Sequence, residues 1–380
     1  MFKPIALYLP QFHVIPENDA WWGKGFTDWV HVRRATPWFA GHEQPHVPSG
    51  GYYDQTEPSV LRRQVELAQA YGIFGFAHYH YWFDGKQLLQ TPTDRFLAMP
   101  ELRLNFCLAW ANETWSRRWD GHDHAILIQQ RHPPDKARWE LHFQYLIRAW
   151  TDDRAIRVVG RPVFLIFRPH GIEAIAELFD YWRERALAYG LPGLYFVAMD
   201  QTGVADELIK KHFDAYLTFQ PHVARRSLGE KRQSAWSRGL GAARRLLPSE
   251  MPLAKELLER YLDYRQTPTV LDYDAVWREI VARPFETGIT TFPSAFPSWD
   301  NTARHGRRAV IYHGASPARF EFWLRRLAGG LTQNRPEERL LFINAWNEWS
   351  EGAHLEPDER HGTGYLEAVQ RVLASYATAG

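Results

Sequence analysis

The sequence predicts one (β/α)8 TIM barrel domain over residues 1–380. Eight apolar runs of strand length alternate with helical patterns along the chain, which is the element order of this fold. Several runs are apolar on both faces, as the buried strands of a parallel sheet are. A doubly wound parallel sheet is the alternative, but no Gly-x-Gly-x-x-Gly turn follows any of the runs.

The predicted strands are Pro4–Leu9, Ile73–Tyr79, Leu104–Trp110, Val163–Arg168, Leu194–Met199, Phe213–Phe219, Gly288–Phe292 and Leu340–Trp346. Helical patterns between them predict helices at Thr56–Tyr71, Thr93–Met99, Asp135–Trp150, Ile172–Tyr189, Val204–Lys211, Tyr273–Ala282, Pro317–Ala328 and Gly364–Ala377. The first of these helices is the clearest, because Leu61, Val65 and Ala68 share one face and Gly72 follows the last turn.

Two connections are long, at about residues 11–55 and 221–287. The first is rich in Trp, His, Pro and Gly, and we expect it to form a lid or one wall of a cleft. The second contains a basic stretch, residues 225–245. A solvated helical excursion explains this charge most simply, and a patch for an anionic substrate is the alternative.

The composition argues against several classes of function. The net charge of +1 gives no support for a nucleic-acid partner or an acidic membrane surface. The single cysteine, Cys107, excludes an internal disulfide and a multi-cysteine metal site. The sequence has no apolar run of about 18 residues, and its apolar N-terminal run is too short for a signal peptide. We therefore expect no transmembrane segment and a cytoplasmic location, or a periplasmic one if a leader precedes this sequence.

Polar and aromatic residues follow the carboxyl ends of most predicted strands, and in a barrel these ends share one face. We therefore expect the following residues to bind a substrate: Gln11, His13, His78, His80, Tyr81, Trp82, Trp110, Asn112, Glu113, Trp119, Asp120, Arg168, Trp299, Asp300, Asn301, Trp346 and Asn347. Flat aromatic faces combined with polar groups that reach hydroxyls are typical of a carbohydrate cleft. The 17 Trp residues exceed what a core alone needs, which favours the same interpretation.

The segment from Leu341 to Gly352 carries the strongest signal, because an apolar strand changes there into a loop with two Asn, two Trp and two Glu. Glu348 and Glu351 are three residues apart, so one helical turn would bring both carboxylates to the same side. Two nearby carboxylates flanked by indole rings suit acid/base catalysis on a sugar, and we predict that both are catalytic. The alternative is a solvated loop with two ordinary surface glutamates.

Three patterns suggest a metal only weakly. His78 and His80 are two residues apart in a predicted strand, so both could point inward and bind a metal, and the same spacing recurs at residues 122–124. A hydrogen-bonding or core role explains such histidines more simply. The Asp-x-Asp at residues 272–274 resembles the metal motif of many nucleotide-sugar transferases, but at the start of a helix we expect a cap. We expect no metal and no cofactor.

Several long motifs resemble those of the WbsX-like proteins, which belong to the wider glycoside hydrolase family 99-like group. They are LPQFH (9–13), WWGKGFTDW (21–29), GHEQP (41–45), HYWF (80–83), WANE (110–113), WDG (119–121), WDNT (299–302), NEWSEG (347–352) and HLEPD (354–358). The resemblance runs over nearly the whole chain. It departs from the family pattern at Asp28, where Glu is expected, and at residues 50–51.

The resemblance implies a (β/α)8 barrel, and family 99 enzymes are retaining, endo-acting α-mannosidases and α-mannanases. They place two glutamates in a loop like that of Glu348 and Glu351. The first assists the sugar 2-hydroxyl, which attacks its own anomeric carbon, and the second protonates the leaving oxygen. Many WbsX-like proteins are encoded together with genes for polysaccharide or O-antigen biosynthesis and have been labelled glycosyltransferases. That label points to a transferase instead of a hydrolase.

Residues and resemblance together predict a glycoside hydrolase or transglycosylase that acts with retention on α-linked sugars of a bacterial polysaccharide. Glu351 is its expected acid/base, and Glu348 either orients the 2-hydroxyl as a base or attacks directly as a nucleophile. A glycosyltransferase in O-antigen or polysaccharide biosynthesis and a non-catalytic glycan-binding barrel are the alternatives. We expect an oligosaccharide or polysaccharide as the partner and no nucleic acid.

Overall fold

The computed structural model describes residues 1–117, 122–232 and 267–377. Within these ranges, eight parallel strands form the barrel that the sequence predicts. The strands are β1 (Lys3–Tyr8), β2 (Gly75–Phe83), β3 (Asn105–Trp110), β4 (Arg161–Ile166), β5 (Tyr195–Asp200), β6 (Ala215–Thr218), β7 (Thr290–Phe292 with Ser294–Ala295) and β8 (Leu340–Ile343).

Strand β7 is interrupted at Pro293 and closes the barrel. Its first part pairs with β6, and its second part pairs with β8. The remaining strands pair in chain order, and β8 pairs with β1. The carboxyl ends of all eight strands therefore open on one face.

Helices surround this barrel: α1 (Pro16–Trp22), α2 (Trp29–Arg34), α3 (Pro58–Ala70), α4 (Thr91–Leu97), α5 (Lys136–Trp150), α6 (Ile175–Ala188), α7 (Glu207–His212), α8 (His222–Arg232), α9 (Tyr273–Ala282), α10 (Thr302–His305), α11 (Pro317–Gly330) and α12 (Gly364–Ala377). Across the described ranges, none of the helices combines the length and the apolar character that crossing a bilayer requires.

Buried apolar residues form one layer inside the barrel and a second layer between barrel and helices. Alternation along each strand assigns residues to these layers. On β2, Ala77 packs inside and Phe76 packs outside, and on β8, Phe342 packs inside and Leu341 outside. Cys107 is buried in the inner layer, as expected of a small core residue.

Short strands outside the barrel fold the long loops at its rim. The pairs are Lys86–Leu88 with β2, Trp115–Arg117 with His122–Ile128, Arg157–Val158 with β4, Thr269–Asp272 with Val310–His313, and Asn347–Glu348 with Ala353–His354. The sequence analysis does not predict them, because most of these strands are too short to show an alternating pattern.

Candidate active site

A cleft of about 360 Å³ opens at the carboxyl ends of the barrel strands. Tyr79 and Tyr81 of β2 line it, and so do Glu348 and Glu351 from the loop after β8. Sites for small ligands have volumes of roughly 300–1,000 Å³, so this cleft has room for a short stretch of a glycan.

The segment between β1 and α3, residues 11–55, forms one wall of this cleft. Helix α1 ends with Trp21 and Trp22, and both line the cleft together with Phe26. Trp115 from the loop after β3 packs edge-on against Trp21, with 6.1 Å between the ring centroids. These rings are apolar surfaces of the kind on which the C–H faces of sugars pack.

Three carboxylates converge on the guanidinium of Arg304, which the short helix α10 delivers to the cleft. Its Nη2 donates to Glu348 Oε1 at 2.9 Å and to Asp28 Oδ2 at 2.8 Å, and its Nη1 donates to Glu351 Oε1 at 2.9 Å. Because the two nitrogens belong to one rigid planar group, the carboxylates of Glu348 and Glu351 lie side by side. Arg304, Asp28 and Glu348 are buried, whereas Glu351 is partly exposed.

The charge balance of this cluster favours one retained proton, because a single cation faces three carboxylates in a poorly solvated place. Burial raises the pKa of Glu348 to about 8; the charge of Arg304 lowers it in part, and Glu351 and Asp28 raise it. Burial lowers the pKa of Arg304, but the three carboxylates outweigh this effect and raise it overall. The cluster therefore retains one proton at neutral pH.

The loop that carries both glutamates is tied to the barrel. Asn347 is fully buried, and its side chain accepts a hydrogen bond from Leu9 N at 2.8 Å and donates one to Leu9 O at 3.0 Å. These bonds join the loop to the end of β1. Residues Trp349–Glu351 then form one 3₁₀ turn directly after Glu348. A single turn thus brings both carboxylates to the cleft, as their spacing predicts.

Gly352 ends this turn and allows a close approach to the loop after β7. Its φ of 61° is left-handed, and a Cβ atom there would lie 2.9 Å from the backbone N and O of Asp300. Next to it, Asp300 N donates to Glu351 O at 2.8 Å. The loops that carry Arg304 and the glutamates are therefore packed directly against each other.

The buried side of the turn is also fixed by hydrogen bonds. Trp349 is fully buried, and its indole N–H donates to the Glu356 carboxylate at 3.1 Å. The same carboxylate accepts from the Tyr53 hydroxyl at 2.6 Å and from the Gln64 amide at 3.0 Å. Burial raises the pKa of Glu356, and these donors oppose the shift.

Asp300 organises the first turn of α10 and thereby positions Arg304. Its Oδ1 accepts from the backbone N–H of Thr302 at 3.0 Å and from the hydroxyl of Thr302 at 2.7 Å. Its Oδ2 lies 2.7 Å from His42 Nε2 and accepts from the Gln44 amide at 2.8 Å. All these contacts use the buried side of the loop, so Asp300 acts on the site through Arg304.

Four residues predicted to bind substrate line the cleft: Gln11, Tyr81, Glu113 and Arg168. The Gln11 amide donates to the Tyr81 hydroxyl at 3.0 Å. Arg168 Nη2 pairs with the Glu113 carboxylate at 3.0 Å. Their polar groups remain candidates for contact with sugar hydroxyls.

Three buried asparagines of the prediction hold backbone instead of lining the cleft. Asn112 bonds the N and O of Arg168 at 2.8 and 2.9 Å, which joins the ends of β3 and β4. Asn301 accepts from Val310 N at 2.7 Å. Asn347 forms the two hydrogen bonds to the backbone of Leu9, directly after β1. All three fix the loops that carry other cleft residues.

The structure does not bring His78, His80 and Trp82 to the cleft. Strand β2 continues four residues beyond its predicted end at Tyr79, so alternation still governs their direction. All three are buried on the helix side of the barrel. Tyr79 and Tyr81, which alternate with them along the strand, line the cleft. Both histidines therefore point away from the barrel interior, and the expectation that these three residues bind substrate in the cleft is corrected.

Both histidines have partners on the helix side. His80 Nε2 lies 2.8 Å from His142 Nε2, and His78 Nδ1 lies 3.2 Å from the Thr93 hydroxyl. Burial lowers the pKa of each to about 3, so both are neutral at pH 7. Within the described part of the chain, neither belongs to a group of three metal-ligating side chains.

The remaining tryptophans of the prediction are also buried. Trp110 and Trp346 lie in the layer between barrel and helices, because alternation and the early end of β8 turn them away from the cleft. Trp299 packs edge-on against His222, which does line the cleft, with 5.0 Å between the ring centroids. His13 is buried as well, and burial lowers its pKa to about 4.

Some expectations fall on parts of the chain that are not described. Trp119 and Asp120 lie outside the described residues, as does the part of the basic stretch 225–245 that follows α8, and the side chains of residues 122–124 are not described. Asp272 accepts a hydrogen bond from the first turn of α9 at 2.7 Å, so it is the helix cap that the sequence predicts.

The predicted site residues do not include Asp28, Arg304, Tyr79 or His222. Arg304 and His222 follow strand ends, but sequence alone does not show their partners. Asp28 stands where the family resemblance leads one to expect Glu, and this departure was the available signal. Tyr79 could have been found from its alternation with Tyr81.

Comparison with known proteins relates this chain to a family. The sequence model of the family described as Glycosyltransferase WbsX matches residues 4–369. The chain is 38% identical over 372 residues to the uncharacterized protein WxcX of Xanthomonas campestris pv. campestris, in strain ATCC 33913 and in strain B100. This match covers 97% of the chain and 49% of the relative, so the chain spans about half the length of these curated relatives.

Solved structures share the fold at low identity. Two structures of the GH99 endo-alpha-mannosidase from Bacteroides thetaiotaomicron match with TM-scores of 0.59 and 0.57, at 13% and 14% identity, over 99% of this chain and 97% and 98% of theirs. A glycoside hydrolase-like protein matches with a TM-score of 0.54 at 12% identity, over 98% of this chain and 93% of its own. This likeness confirms the predicted barrel fold. From the match over residues 4–369, the chain belongs to the family described as Glycosyltransferase WbsX.

Proposed function

We propose that this chain is a glycoside hydrolase or transglycosylase that cleaves an α-glycosidic bond of a bacterial polysaccharide, with Glu348 and Glu351 as its acid/base pair. One observation carries the proposal: both carboxylates bind a single buried guanidinium inside an aromatic-walled cleft. Paired carboxylates that flank a scissile bond are the common requirement of glycoside hydrolysis. The GH99 endo-alpha-mannosidases of similar fold make an α-mannoside the first substrate to test.

In this proposal Glu348 is the base. A carboxylate whose pKa is about 8 binds a proton far more strongly than an ordinary glutamate, so it can draw the proton from a sugar 2-hydroxyl. The 2-oxygen then attacks the anomeric carbon as the bond to the leaving oxygen breaks. Asp28 also lines the cleft, and its Oδ1 has no hydrogen-bond partner among the described residues, so it is placed to accept from a second hydroxyl.

Glu351 is the proposed acid: in the reactive form it holds the one proton that the cluster retains and gives that proton to the leaving oxygen. Its side chain is 17% exposed against 9% for Glu348, so it is the more open of the pair toward an incoming substrate. In the second step, water or an acceptor hydroxyl returns its proton to Glu351 and attacks the anomeric carbon, and Glu348 returns its proton to the 2-oxygen. Two displacements at one carbon leave the configuration retained.

The test is a panel of α-linked oligosaccharides, starting with α-mannosides, incubated with the full chain and analysed by NMR for the anomeric configuration of the first product. We expect turnover of at least one substrate with retention, and loss of turnover in Glu348→Gln and Glu351→Gln. Inversion would contradict the proposed roles. Binding of glycans without any turnover would show a glycan-binding barrel instead.

A glycosyltransferase is the second candidate, because the family is described by that activity. Such an enzyme needs cationic groups for the diphosphate of a nucleotide-sugar or lipid-linked donor. Both arginines that line the described cleft, Arg168 and Arg304, are already paired with carboxylates, which argues against a diphosphate there. Thermal shifts with nucleotides and nucleotide sugars would decide, since a ligand stabilises the fold that binds it.

A further inference from the structure

A second cluster of ionisable side chains lies at the barrel rim, apart from the Arg304 cluster. It joins His46, from the segment between β1 and α3, to His354 and Asp358, from the loop before α12. One potential ligand atom of each residue lies within 4.8 Å of the other two. His354 Nε2 is 3.3 Å from His46 Nδ1 and 3.7 Å from Asp358 Oδ2.

We propose that His46, His354 and Asp358 bind a divalent transition metal ion of the Zn²⁺ type. Ligand atoms 2.0–2.2 Å from a tetrahedral zinc lie roughly 3.3 Å from one another, which the two distances above approach. Two imidazoles and one carboxylate form a ligand set that zinc accepts, whereas Mg²⁺ and Ca²⁺ prefer oxygen ligands. This site is distinct from the cleft and from the histidines of β2.

Neighbouring groups orient His354 and Asp358. His354 Nδ1 lies 3.1 Å from the carbonyl oxygen of Glu356, and donation to that oxygen leaves Nε2 as the lone-pair nitrogen. Asp358 Oδ1 accepts from the backbone N–H of Arg360 and of His361, while Oδ2 lies 3.7 Å from His354 Nε2 and 3.3 Å from His361 Nδ1. One potential ligand atom of each of the three residues thus faces a common point, where a cation would contact all three.

The protonation states also suit metal binding. Burial lowers the pKa of His46, and it lowers the pKa of His354 to about 3. Burial raises the pKa of Asp358, but hydrogen bonds from His361 and the nearby imidazoles lower it overall. At pH 7 the cluster therefore offers two neutral imidazoles and one carboxylate, the forms that coordinate a metal.

Backbone pairing holds the two segments together and leaves an approach from solvent. Ser49 N donates to Pro357 O at 2.9 Å, and Glu359 N donates to Val47 O at 2.9 Å. A second cleft lined by His46 and Asp358 opens beside these segments. It provides an entry path and room for a water as fourth ligand.

The position of the cluster indicates a structural role for the metal. The segment that carries His46 also carries His42 and Gln44, which hold Asp300 and through it the turn that positions Arg304. A metal there would fix this segment to the loop before α12. It would act on the active site only through these contacts, so the inference does not depend on the proposed activity.

The test uses the full chain without an affinity tag, stripped with a chelator and titrated with Co²⁺ and Zn²⁺. We expect one equivalent of Co²⁺ per chain with visible absorption bands of a low-coordinate site, displacement by Zn²⁺, and a higher melting temperature with Zn²⁺ but not with Mg²⁺. His46→Ala and Asp358→Asn should each weaken Zn²⁺ binding about tenfold or more.

His170→Ala is the matched control, because His170 also pairs with a carboxylate, that of Asp206, at 2.7 Å on the exposed surface. It should bind Zn²⁺ as the parent chain does. Circular dichroism and melting curves establish that each variant is folded, and the two ligand variants check each other. Less than stoichiometric binding by the parent chain, or equal binding by both folded ligand variants, would overturn the inference.

Discussion

The two faces of β2 carry similar side chains but meet different surroundings. Tyr79 and Tyr81 face the cleft, where Gln11 and the glutamates are their neighbours. His80 and Trp82 face the helices, where both pack against His142 and lie out of reach of a substrate. The direction set by alternation, and not the residue type, thus decides which side chains reach the cleft.

The same contrast separates the two buried polar clusters. At Arg304 one cation holds three carboxylates beside a cleft, so the cluster has protons to exchange with a substrate. At His80 two neutral rings share one hydrogen bond in the closed helix layer. We therefore expect substitutions in the first cluster to change the rate of catalysis, and substitutions in the second to change stability.

The largest expected effect sharpens this contrast on the cleft side. Glu351→Gln should lower turnover of a glycan about 10²–10⁴-fold, because it removes a general acid. The melting temperature should stay near that of the parent chain. Glu113→Gln is the matched control, since Glu113 also lines the cleft but pairs with Arg168, and it should lose much less. Equal losses of turnover in both variants would contradict a role for Glu351 that other carboxylates of the cleft do not share.

Arg304→Met tests whether the cleft cluster also supports the fold. Removing the partner of buried carboxylates should lower the free energy of unfolding by about 3–5 kcal/mol, measured by urea denaturation. Arg168→Met at the same rim breaks a pair whose side chains are 45% and 38% exposed, and should cost at most about 1 kcal/mol. Similar losses of unfolding free energy in the two variants would show that the buried Arg304 cluster stabilises the fold no more than the exposed pair of Arg168 and Glu113 does.

The helix side of β2 gives the reverse expectation. His80→Phe should lower the free energy of unfolding by about 1–3 kcal/mol, because it leaves the Nε2 of His142 without its partner. Its kcat should stay within about twofold of the parent value at saturating substrate. Tyr81→Phe, on the cleft side, should instead raise KM with little loss of stability. A large loss of kcat in His80→Phe would contradict its placement outside the site.

The smallest expected effect is a pH dependence of the cleft cluster. The cluster retains one proton below a pKa of about 8, and the reactive form holds it on Glu351, so kcat/KM should fall about fivefold between pH 8 and pH 9 as this proton is lost. Glu348→Gln should lose this fall, because it removes the carboxylate whose pKa is raised. A rise of kcat/KM through the same range would mean that loss of the proton activates the pair, and it would contradict Glu351 as the acid.

Much of the fold could be predicted because its signals are local. The apolar run that becomes β8 predicted a strand, and the three-residue spacing of Glu348 and Glu351 predicted one shared side. Both signals lie within a dozen residues. The order of strands and helices along the chain then indicated a barrel, and with it the face on which the carboxyl ends meet.

The rest depends on contacts between distant residues. Arg304 reaches Glu348 across 44 positions and Asp28 across 276, and no local pattern marks such pairs. The true end of β2 lies beyond its predicted end because the strand runs on through polar aromatic residues that read as a loop. That error of four residues hid the alternation that turns His80 and Trp82 toward the helices, and His78, inside the predicted strand, faces the same side.

The most direct test of the central claim, that Glu351 donates a proton beside Glu348, compares two leaving groups in Glu351→Gln. The fluoride ion of an α-glycosyl fluoride leaves without needing a proton, whereas the leaving oxygen of a glycoside must be protonated. The account predicts a near-parental rate of fluoride release in the first turnover, because only the second step then lacks its base, together with a loss of about 10²–10⁴-fold on the glycoside. An equal loss on both substrates, or no loss on either, would contradict it.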